Sequence, residues 1–306
     1  FGEFSYVLAF SAIVVALADM GTTAVLARGL ALEEIEARAR YLGNYLLMRL
    51  GLLSLATLAG VLAALFVPEA PTIAMLIVIA GLPALASRFF EPIYQIYGHP
   101  WMSLRSNLVF ALAQLSLALW VWLDQSLGLE LLVAGVVASN VVYTSIATVF
   151  MLRLVRPHLQ FDRATFGAVL ALAGPVGVSA FFTTVISRAD ILMIDHFLGA
   201  APVGLYSASY RILDLAILAA VTAVTPLVPV LTMEIAHDRQ RALERCRAIV
   251  QTALVFTLPV AVVAPYAAAP MIRLALGDAY APAAAPLIIL VWNFVLIVVT
   301  LIGSSI

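Results

Sequence analysis

The chain has 306 residues, of which 64% are hydrophobic and only 11% are charged, and its formal net charge is −1. A soluble globular domain carries about 25% charged residues, so this composition predicts an all-α polytopic membrane protein. Every basic residue is arginine, which excludes the lysine of a phosphate-binding ATPase loop and a lysine Schiff base. One cysteine and four scattered histidines predict neither a disulfide nor a metal site, and no motif indicates a cofactor.

Nine apolar stretches are long enough to cross a bilayer, which takes about 20 mostly apolar residues. In lipid the backbone must satisfy its own hydrogen bonds, so each stretch predicts a spanning helix. The nine predicted spans are Phe4–Leu26, Leu42–Val67, Thr72–Ile96, Leu104–Leu123, Leu129–Leu154, Phe166–Leu198, Val203–Met233, Ile249–Leu276 and Pro286–Ile306.

The connections between these spans alternate in charge. One set is long and basic: Arg28–Arg40, Arg88–Arg105, Arg153–Arg163 and Glu234–Arg247. The other set, at Pro68, Asp124 and Gly199, is short and nearly free of arginine. Because basic loops stay in the cytoplasm, this alternation predicts that Phe1 lies outside and Ile306 lies in the cytoplasm.

A short pattern recurs along the chain. Residues 1–6 read FGEFSY and residues 203–208 read VGLYSA, and each precedes an apolar span and a charged connection. The recurrence predicts two parallel halves, 1–158 with five helices and 159–306 with four, divided at the Arg153–Arg163 connection. A helix precedes the second pattern and none precedes Phe1, so we expect a fragment that lacks an opening helix and its last helices.

The most informative charges lie in the sixth and seventh predicted spans. A charge at membrane depth costs roughly 2.5–3.5 kcal/mol on insertion scales, so these charges predict a polar cavity. Arg188 and Asp190 are two residues apart and therefore point to different sides of their helix. Arg211 and Asp214 are three residues apart and either neutralise each other or face the cavity.

Charged and polar residues of the earlier spans predict further contacts. Asp19 is expected to face Arg28 or Arg49, and Arg88 is expected to pair with Glu91. Arg49 and Arg88 are either anchors at the inner membrane surface or part of the binding cavity. Asparagines within spans, among them Asn107 and Asn140, predict hydrogen bonds between helices.

Three segments carry a family resemblance. They read GEFSY and DMGTTAVLAR within Gly2 to Arg28, RAD and GAAPVGLYSASYRILD within Arg188 to Asp214, and GDAYAPAAAPL from Gly277 to Leu287. The chain resembles the polysaccharide-export flippases of the multidrug/oligosaccharidyl-lipid/polysaccharide (MOP) superfamily. The resemblance implies two six-helix lobes in a V-shaped arrangement around a central cavity, and alternating access between the two membrane faces.

The resemblance also implies the cargo and its site. Such flippases move a lipid-linked oligosaccharide, carried on polyprenyl pyrophosphate, across the bacterial or archaeal cytoplasmic membrane. Related flippases use cavity arginines on the first two helices of each lobe, positions that Arg188 and Arg211 match here. We therefore expect substrate binding by Arg188, Arg211, Arg49 and Arg88, with Asp190 and Asp214 orienting the arginines or binding a coupling ion.

The same resemblance leaves two other functions open. A drug or cation antiporter of the superfamily would favour a cavity dominated by carboxylates, which the two arginines argue against. A membrane-embedded glycan polymerase or ligase would be expected to need a sizeable outer loop, whereas the outer connections here are short. We expect a transporter without catalytic residues, with membrane lipids as partners, no nucleic acid, and glycosyltransferases and a glycan polymerase as functional neighbours.

Overall fold

The computed structural model describes residues 1–32, 35–66, 71–124, 126, 128–224 and 239–303. These residues form helices and turns, with no strand among them. The α-helices are α1 Gly2–Asp19, α2 Thr22–Leu32, α3 Ile35–Phe66, α4 Thr72–Ala80, α5 Leu82–Leu85, α6 Phe90–Ile96, α7 Pro100–Leu123, α8 Leu129–Leu154, α9 Arg163–Leu198, α10 Ala200–Val224, α11 Arg239–Leu276 and α12 Ala284–Gly303. Two 3₁₀ helices, Ser87–Phe89 and Asp278–Ala283, complete the described elements.

The spans agree closely with those predicted. Among the described residues, eight helical segments are long and apolar enough to cross a membrane, and a bent pair makes nine if it is one span. The bent pair is Thr72–Ala80 with Leu82–Ile96, at 63° to each other. The all-α polytopic class is confirmed, although the third predicted span is broken rather than continuous. The seventh is described only as far as Val224, and its end at 225–233 lies outside the described residues.

Helices extend into several of the predicted connections, among them Arg28–Arg40, Glu234–Arg247 and the one at Gly199. The Arg28–Arg40 segment is helical on both sides of residues 33–34, because α2 continues to Leu32 and α3 begins at Ile35. Its alanine, glutamate and arginine residues favour helix and extend the helices beyond the apolar stretch. At Gly199 the connection shrinks to one residue with φ +83°, a left-handed conformation that glycine adopts readily where a helix ends.

The first span is interrupted near its end. Helix α1 stops at Asp19, Met20 and Gly21 have φ values of +41° and +70°, and α2 begins at Thr22. A positive φ is uncommon for methionine. The Thr22 hydroxyl donates to the Asp19 carbonyl oxygen at 2.6 Å, so the interruption supplies part of its own hydrogen bonding.

The third span breaks between Gly81 and Phe90. Pro83 lacks a backbone N–H, and the chain passes through α5 and a 3₁₀ turn before α6. The Ser87 hydroxyl donates to the Ala84 carbonyl oxygen at 2.6 Å, and the Thr144 hydroxyl of α8 donates to Ser87 at 2.7 Å. Side chains therefore form hydrogen bonds with backbone groups at the break, which lipid could not do.

The chain divides into two compact units, and the division falls within α9. The first unit is Glu3–Met193, and the second unit is Phe1–Gly2 with Ile194–Ile306. The predicted lobes, 1–158 and 159–306, stay a prediction.

Each unit has its own buried apolar residues. The first unit holds one cluster around Tyr45, Tyr94 and Tyr143 and another around Val7 and Met75. In the second unit, Ile272 and Leu287 belong to one cluster and Val224 and Ile302 to another. The Ser209 hydroxyl donates to the Ala283 carbonyl oxygen at 2.7 Å, which joins α10 to the 3₁₀ turn before α12.

Helix α7 shows the surface expected for lipid contact. Large apolar side chains recur every three or four residues along it, and each is more than half exposed: Leu104, Leu108, Leu112, Leu115 and Leu119. A soluble protein rarely exposes a continuous apolar face of this length. The described structure therefore supports a multi-pass membrane protein.

Candidate functional site

Arg49 of α3 is a buried charge within a membrane span. Its side chain is almost inaccessible, and its Nη1 donates to Asp19 Oδ1 at 2.9 Å. The same nitrogen donates to the Thr22 hydroxyl at 3.1 Å and to the Tyr45 hydroxyl at 2.9 Å. The prediction that Asp19 faces Arg28 or Arg49 is confirmed for Arg49.

The other terminal nitrogen of Arg49 reaches the broken third span. Nη2 donates to the Ala86 carbonyl oxygen, and the guanidinium carbon lies 4.5 Å from the centre of the Phe89 ring. One side chain thus joins the break after Asp19 to the break before Phe90. Both terminal nitrogens are engaged by protein atoms, which favours a role in holding the two breaks. Substrate binding by Arg49 stays a prediction.

Arg88 lies in the 3₁₀ turn of the broken span and is held by α6 and α7. Its Nη1 donates to Asn107 Oδ1 at 2.8 Å and lies 3.5 Å from Glu91 Oε1. Asn107 Nδ2 in turn donates to Glu91 at 3.4 Å. These contacts confirm the predicted Arg88–Glu91 pair and the predicted hydrogen bonding of Asn107 between helices.

Two aromatic rings flank the Arg88 guanidinium. Its central carbon lies 4.9 Å from the Phe110 ring centre on α7 and 4.8 Å from the Tyr143 ring centre on α8. Cation–π attraction at such distances is worth about 0.5–2 kcal/mol, more where water is excluded. About half of the Arg88 side chain, 47%, nevertheless remains exposed.

Arg188 and Arg211 have different surroundings from Arg49. Arg188 is half-buried on α9 in the first unit, and Arg211 is exposed on α10 in the second unit. Within the described part of the chain, neither arginine forms a salt bridge within 4.0 Å. The predicted alternative in which Arg211 and Asp214 neutralise each other is therefore not the arrangement in this structure.

The two carboxylates predicted to act with these arginines are on the same helices. Asp190 is half-buried, and its Oδ1 accepts the backbone N–H of Ile191 at 2.8 Å. Asp214 is exposed on α10. Their roles as orienting or coupling groups stay predictions.

Neither Arg188 nor Arg211 lines either of two cavities found in the described residues, although Ile212 and Leu213, next to Arg211, line the second. In the first unit a cavity of about 330 Å³ is lined by Ala37, Arg40, Tyr41, Asn44, Gln160, Phe161 and Asp162. In the second unit a groove of about 390 Å³ between α10, α11 and α12 is almost wholly apolar. No group of three His, Cys, Asp or Glu side chains in the described residues could hold a metal ion.

The sequence did not indicate several groups around Arg49 and Arg88. Thr22 and Thr23 follow Gly21, and a threonine after a glycine inside an apolar span is a weak signal for a helix break. The contact with the Ala86 carbonyl was not predictable, because this oxygen can accept a side-chain hydrogen bond only where the helix is interrupted. Asn140 also differs from its prediction, since its Nδ2 donates to Val136 of its own helix at 2.9 Å.

These helices, with arginines inside apolar spans, define a polytopic membrane protein. The chain belongs to the polysaccharide biosynthesis protein family, whose model matches residues 1–285. The family expected from the three sequence motifs is thus confirmed, and with it a role in polysaccharide biosynthesis. No curated protein and no solved structure shows a significant match to the chain.

Proposed function

We propose that this protein is a flippase that moves a lipid-linked oligosaccharide across the cytoplasmic membrane. The observation that carries the proposal is the state of Arg188 and Arg211. Both lie in membrane spans, and among the described residues neither forms an ion pair. An arginine at such a depth persists only where water, a carboxylate or an anionic cargo receives it.

The chemistry of the arginine side chain fits a pyrophosphate. A guanidinium offers two parallel N–H donors to phosphate oxygens, with a geometry that a lysine ammonium lacks. Contacts of this kind would offset the cost of moving a doubly charged head group through the bilayer. In this proposal Arg188 and Arg211 bind the pyrophosphate, and Asp190 and Asp214 orient the arginines or bind a coupling ion.

Further parts of the proposal follow from the family and from the loop charges. The polysaccharide biosynthesis family supports a place beside glycosyltransferases and a glycan polymerase, with the flippase itself performing no covalent chemistry. The arginine-rich connections support an orientation with Phe1 outside and the Arg153–Arg163 connection in the cytoplasm. Lipid-linked glycan, membrane lipids and the coupling ion are the partners that this function requires.

The test is glycan export in a strain that lacks its own flippase and carries the gene for this chain. We expect the Arg188→Ala, Arg211→Ala double variant to lose about tenfold or more of surface glycan, since each charge-assisted bond contributes about 1.5–3 kcal/mol. Arg188→Lys and Arg211→Lys should each fall less far, because they keep the charge and lose only the forked geometry.

A matched control separates this effect from general damage. Arg273 is an exposed arginine of the second unit that lies 3.7 Å from Asp278, and Arg273→Ala should leave export near the wild-type level. All variants are compared at equal amounts in the membrane. Full export by the double variant would remove Arg188 and Arg211 from the mechanism.

A further inference from the structure

At the bend in the third span lies a further arginine, Arg88, whose side chain is partly exposed. Arg88 lies at the bend, about two turns before α6 ends at Ile96. Beyond Ile96, Tyr97 and Trp101 each lie beside an arginine, Arg38 at 5.6 Å and Arg105 at 4.1 Å from the ring centres. Aromatic and basic residues of this kind mark a membrane–water interface. Arg88 precedes this interface region in the chain and lies within the apolar third span.

The protein holds the Arg88 guanidinium in one orientation. Asn107 and Glu91 contact Nη1 from one side, and the rings of Phe110 and Tyr143 lie against the guanidinium. An arginine fixed in this way loses less conformational freedom when it binds a ligand. The arrangement therefore resembles a prepared binding group more than a flexible surface side chain.

The same guanidinium retains capacity for a ligand. The hydrogen bond to Asn107 and the ion-pair contact with Glu91 both involve Nη1, and 47% of the side chain is exposed. Arg49 differs on both counts, since it is 3% exposed and uses both terminal nitrogens on protein atoms. Of these two arginines, Arg88 is the one accessible to an incoming anion.

We propose that Arg88, on the shelf formed by Phe110 and Tyr143, binds a phosphate group carried on a lipid. A planar guanidinium matches phosphate oxygens, and lipid brings phosphate to this depth where a free ion would have to leave water. The Glu91 carboxylate opposes the anion, so the phosphate binds on the face of the guanidinium away from Glu91. The lipid is either the diphosphate-bearing cargo, in which case the inference rests on the proposed function, or a bulk phospholipid.

Direct binding measurements on the purified chain in neutral phosphatidylcholine nanodiscs test this site. Farnesyl pyrophosphate is titrated as a short lipid diphosphate, with farnesol as the control for chain partitioning. Retention of phosphatidylglycerol, measured by native mass spectrometry, probes the bulk-lipid source. Arg88→Gln should lower the affinity for farnesyl pyrophosphate about tenfold, the loss of one charge-assisted contact, and leave farnesol binding unchanged.

Two further variants sharpen the test. Arg105→Gln removes an exposed arginine of α7 that rests on Trp101 instead, and it should retain wild-type affinity. Glu91→Gln removes the opposing charge, and it should raise the affinity about threefold even if Arg88→Gln proves unstable. Thermal unfolding establishes that each variant remains folded.

Each outcome has one meaning. Loss of farnesyl pyrophosphate binding alone assigns the site to the cargo, loss of phosphatidylglycerol alone assigns it to bulk lipid, and loss of both supports a general lipid-phosphate site. Unchanged binding of both probes by Arg88→Gln, or by Glu91→Gln where Arg88→Gln does not fold, overturns the proposal. Full export by the Arg188→Ala, Arg211→Ala variant would remove only those two arginines from the proposed mechanism, whereas failure of the unaltered chain to restore export would refute the flippase function. Either result leaves this binding result standing.

Discussion

Arg49 and Arg88 lie near each other in the fold, yet the protein offsets the cost of their charges differently. Arg49 is enclosed by a carboxylate, hydroxyl groups and a carbonyl oxygen. Arg88 contacts an amide, a carboxylate and two rings and remains half exposed. A buried charge with all donors satisfied stabilises a particular local structure, whereas a held and exposed charge can bind a ligand.

The first prediction concerns the stability that Arg49 supplies. Arg49→Ala removes the link between the two helix breaks and leaves Asp19 and the Ala86 carbonyl without this partner. We expect a loss of roughly 2–3 kcal/mol, below the full cost of breaking a buried pair because Asp19 is 30% exposed. Thermal unfolding in one detergent measures the change, with exposed Arg105→Ala as the control. Equal melting temperatures for Arg49→Ala and Arg105→Ala would contradict the assignment.

At this scale the sequence predicts pairs better than it predicts the groups that complete them. The few charges within the first spans leave Asp19 little choice of partner, and Arg88 and Glu91 are three residues apart on one helical face. The Asp19–Arg49 and Arg88–Glu91 pairs are both present in the structure. The Ala86 carbonyl is 37 residues from Arg49 in sequence, and the Phe110 and Tyr143 rings are on helices distant in sequence from Arg88. A single sequence gives no signal for such contacts.

Helix crossings set the limits on how closely the spans of the first unit pack. Gly177 of α9 lies against the backbone at Met20 and Gly21, where α1 gives way to α2. A Cβ atom on Gly177 would overlap the Met20 carbonyl oxygen, and one on Gly21 would lie 2.6 Å from the Gly177 nitrogen. Small residues allow close backbone contact in membranes, where packing drives helix association.

The second prediction follows from this crossing. Gly177→Ala should lower stability by about 1–3 kcal/mol, because the added methyl group forces the two backbones apart. Gly174→Ala, one turn earlier on α9, meets nothing within 4 Å and should be neutral or stabilising by about 0.5–1 kcal/mol, since alanine favours helix. The melting temperatures of the two variants give the comparison. A Gly177→Ala protein as stable as Gly174→Ala would show that the crossing is looser than described.

Elements were predictable where hydropathy alone determines them. Apolar stretches of about 20 residues can only be helices in lipid, so the positions of the spans follow from composition. The breaks at Met20 and Gly81 do not follow, because glycine is also common in continuous membrane helices. The helical Arg28–Arg40 segment shows the reverse case, in which charge marks the end of the apolar stretch but not the end of the helix.

For the whole molecule, the family fixes a role in polysaccharide biosynthesis, and the loop charges predict its direction in the membrane. Arg153, Arg156 and Arg163 flank the connection between α8 and α9, whereas the connection from Asp124 to Gly128 carries no arginine. Translocation of several arginines across the membrane is disfavoured during insertion. The side of the membrane that holds Phe1 thus depends on a few charges in each connection.

The last prediction tests that direction with single cysteines. Cys246 is the single cysteine of the sequence, so Cys246→Ala provides a background without thiols. In that background, Ser126→Cys and Gln160→Cys each place one thiol, beyond opposite ends of α8. Both native positions are exposed. In intact cells a membrane-impermeant maleimide should label Ser126→Cys, whereas Gln160→Cys should react only after permeabilisation. The opposite pattern would invert the orientation, and labelling of both from outside would mean that α8 does not cross the membrane. Because α8 alone separates the two positions, the pair reports its crossing without reference to any other span.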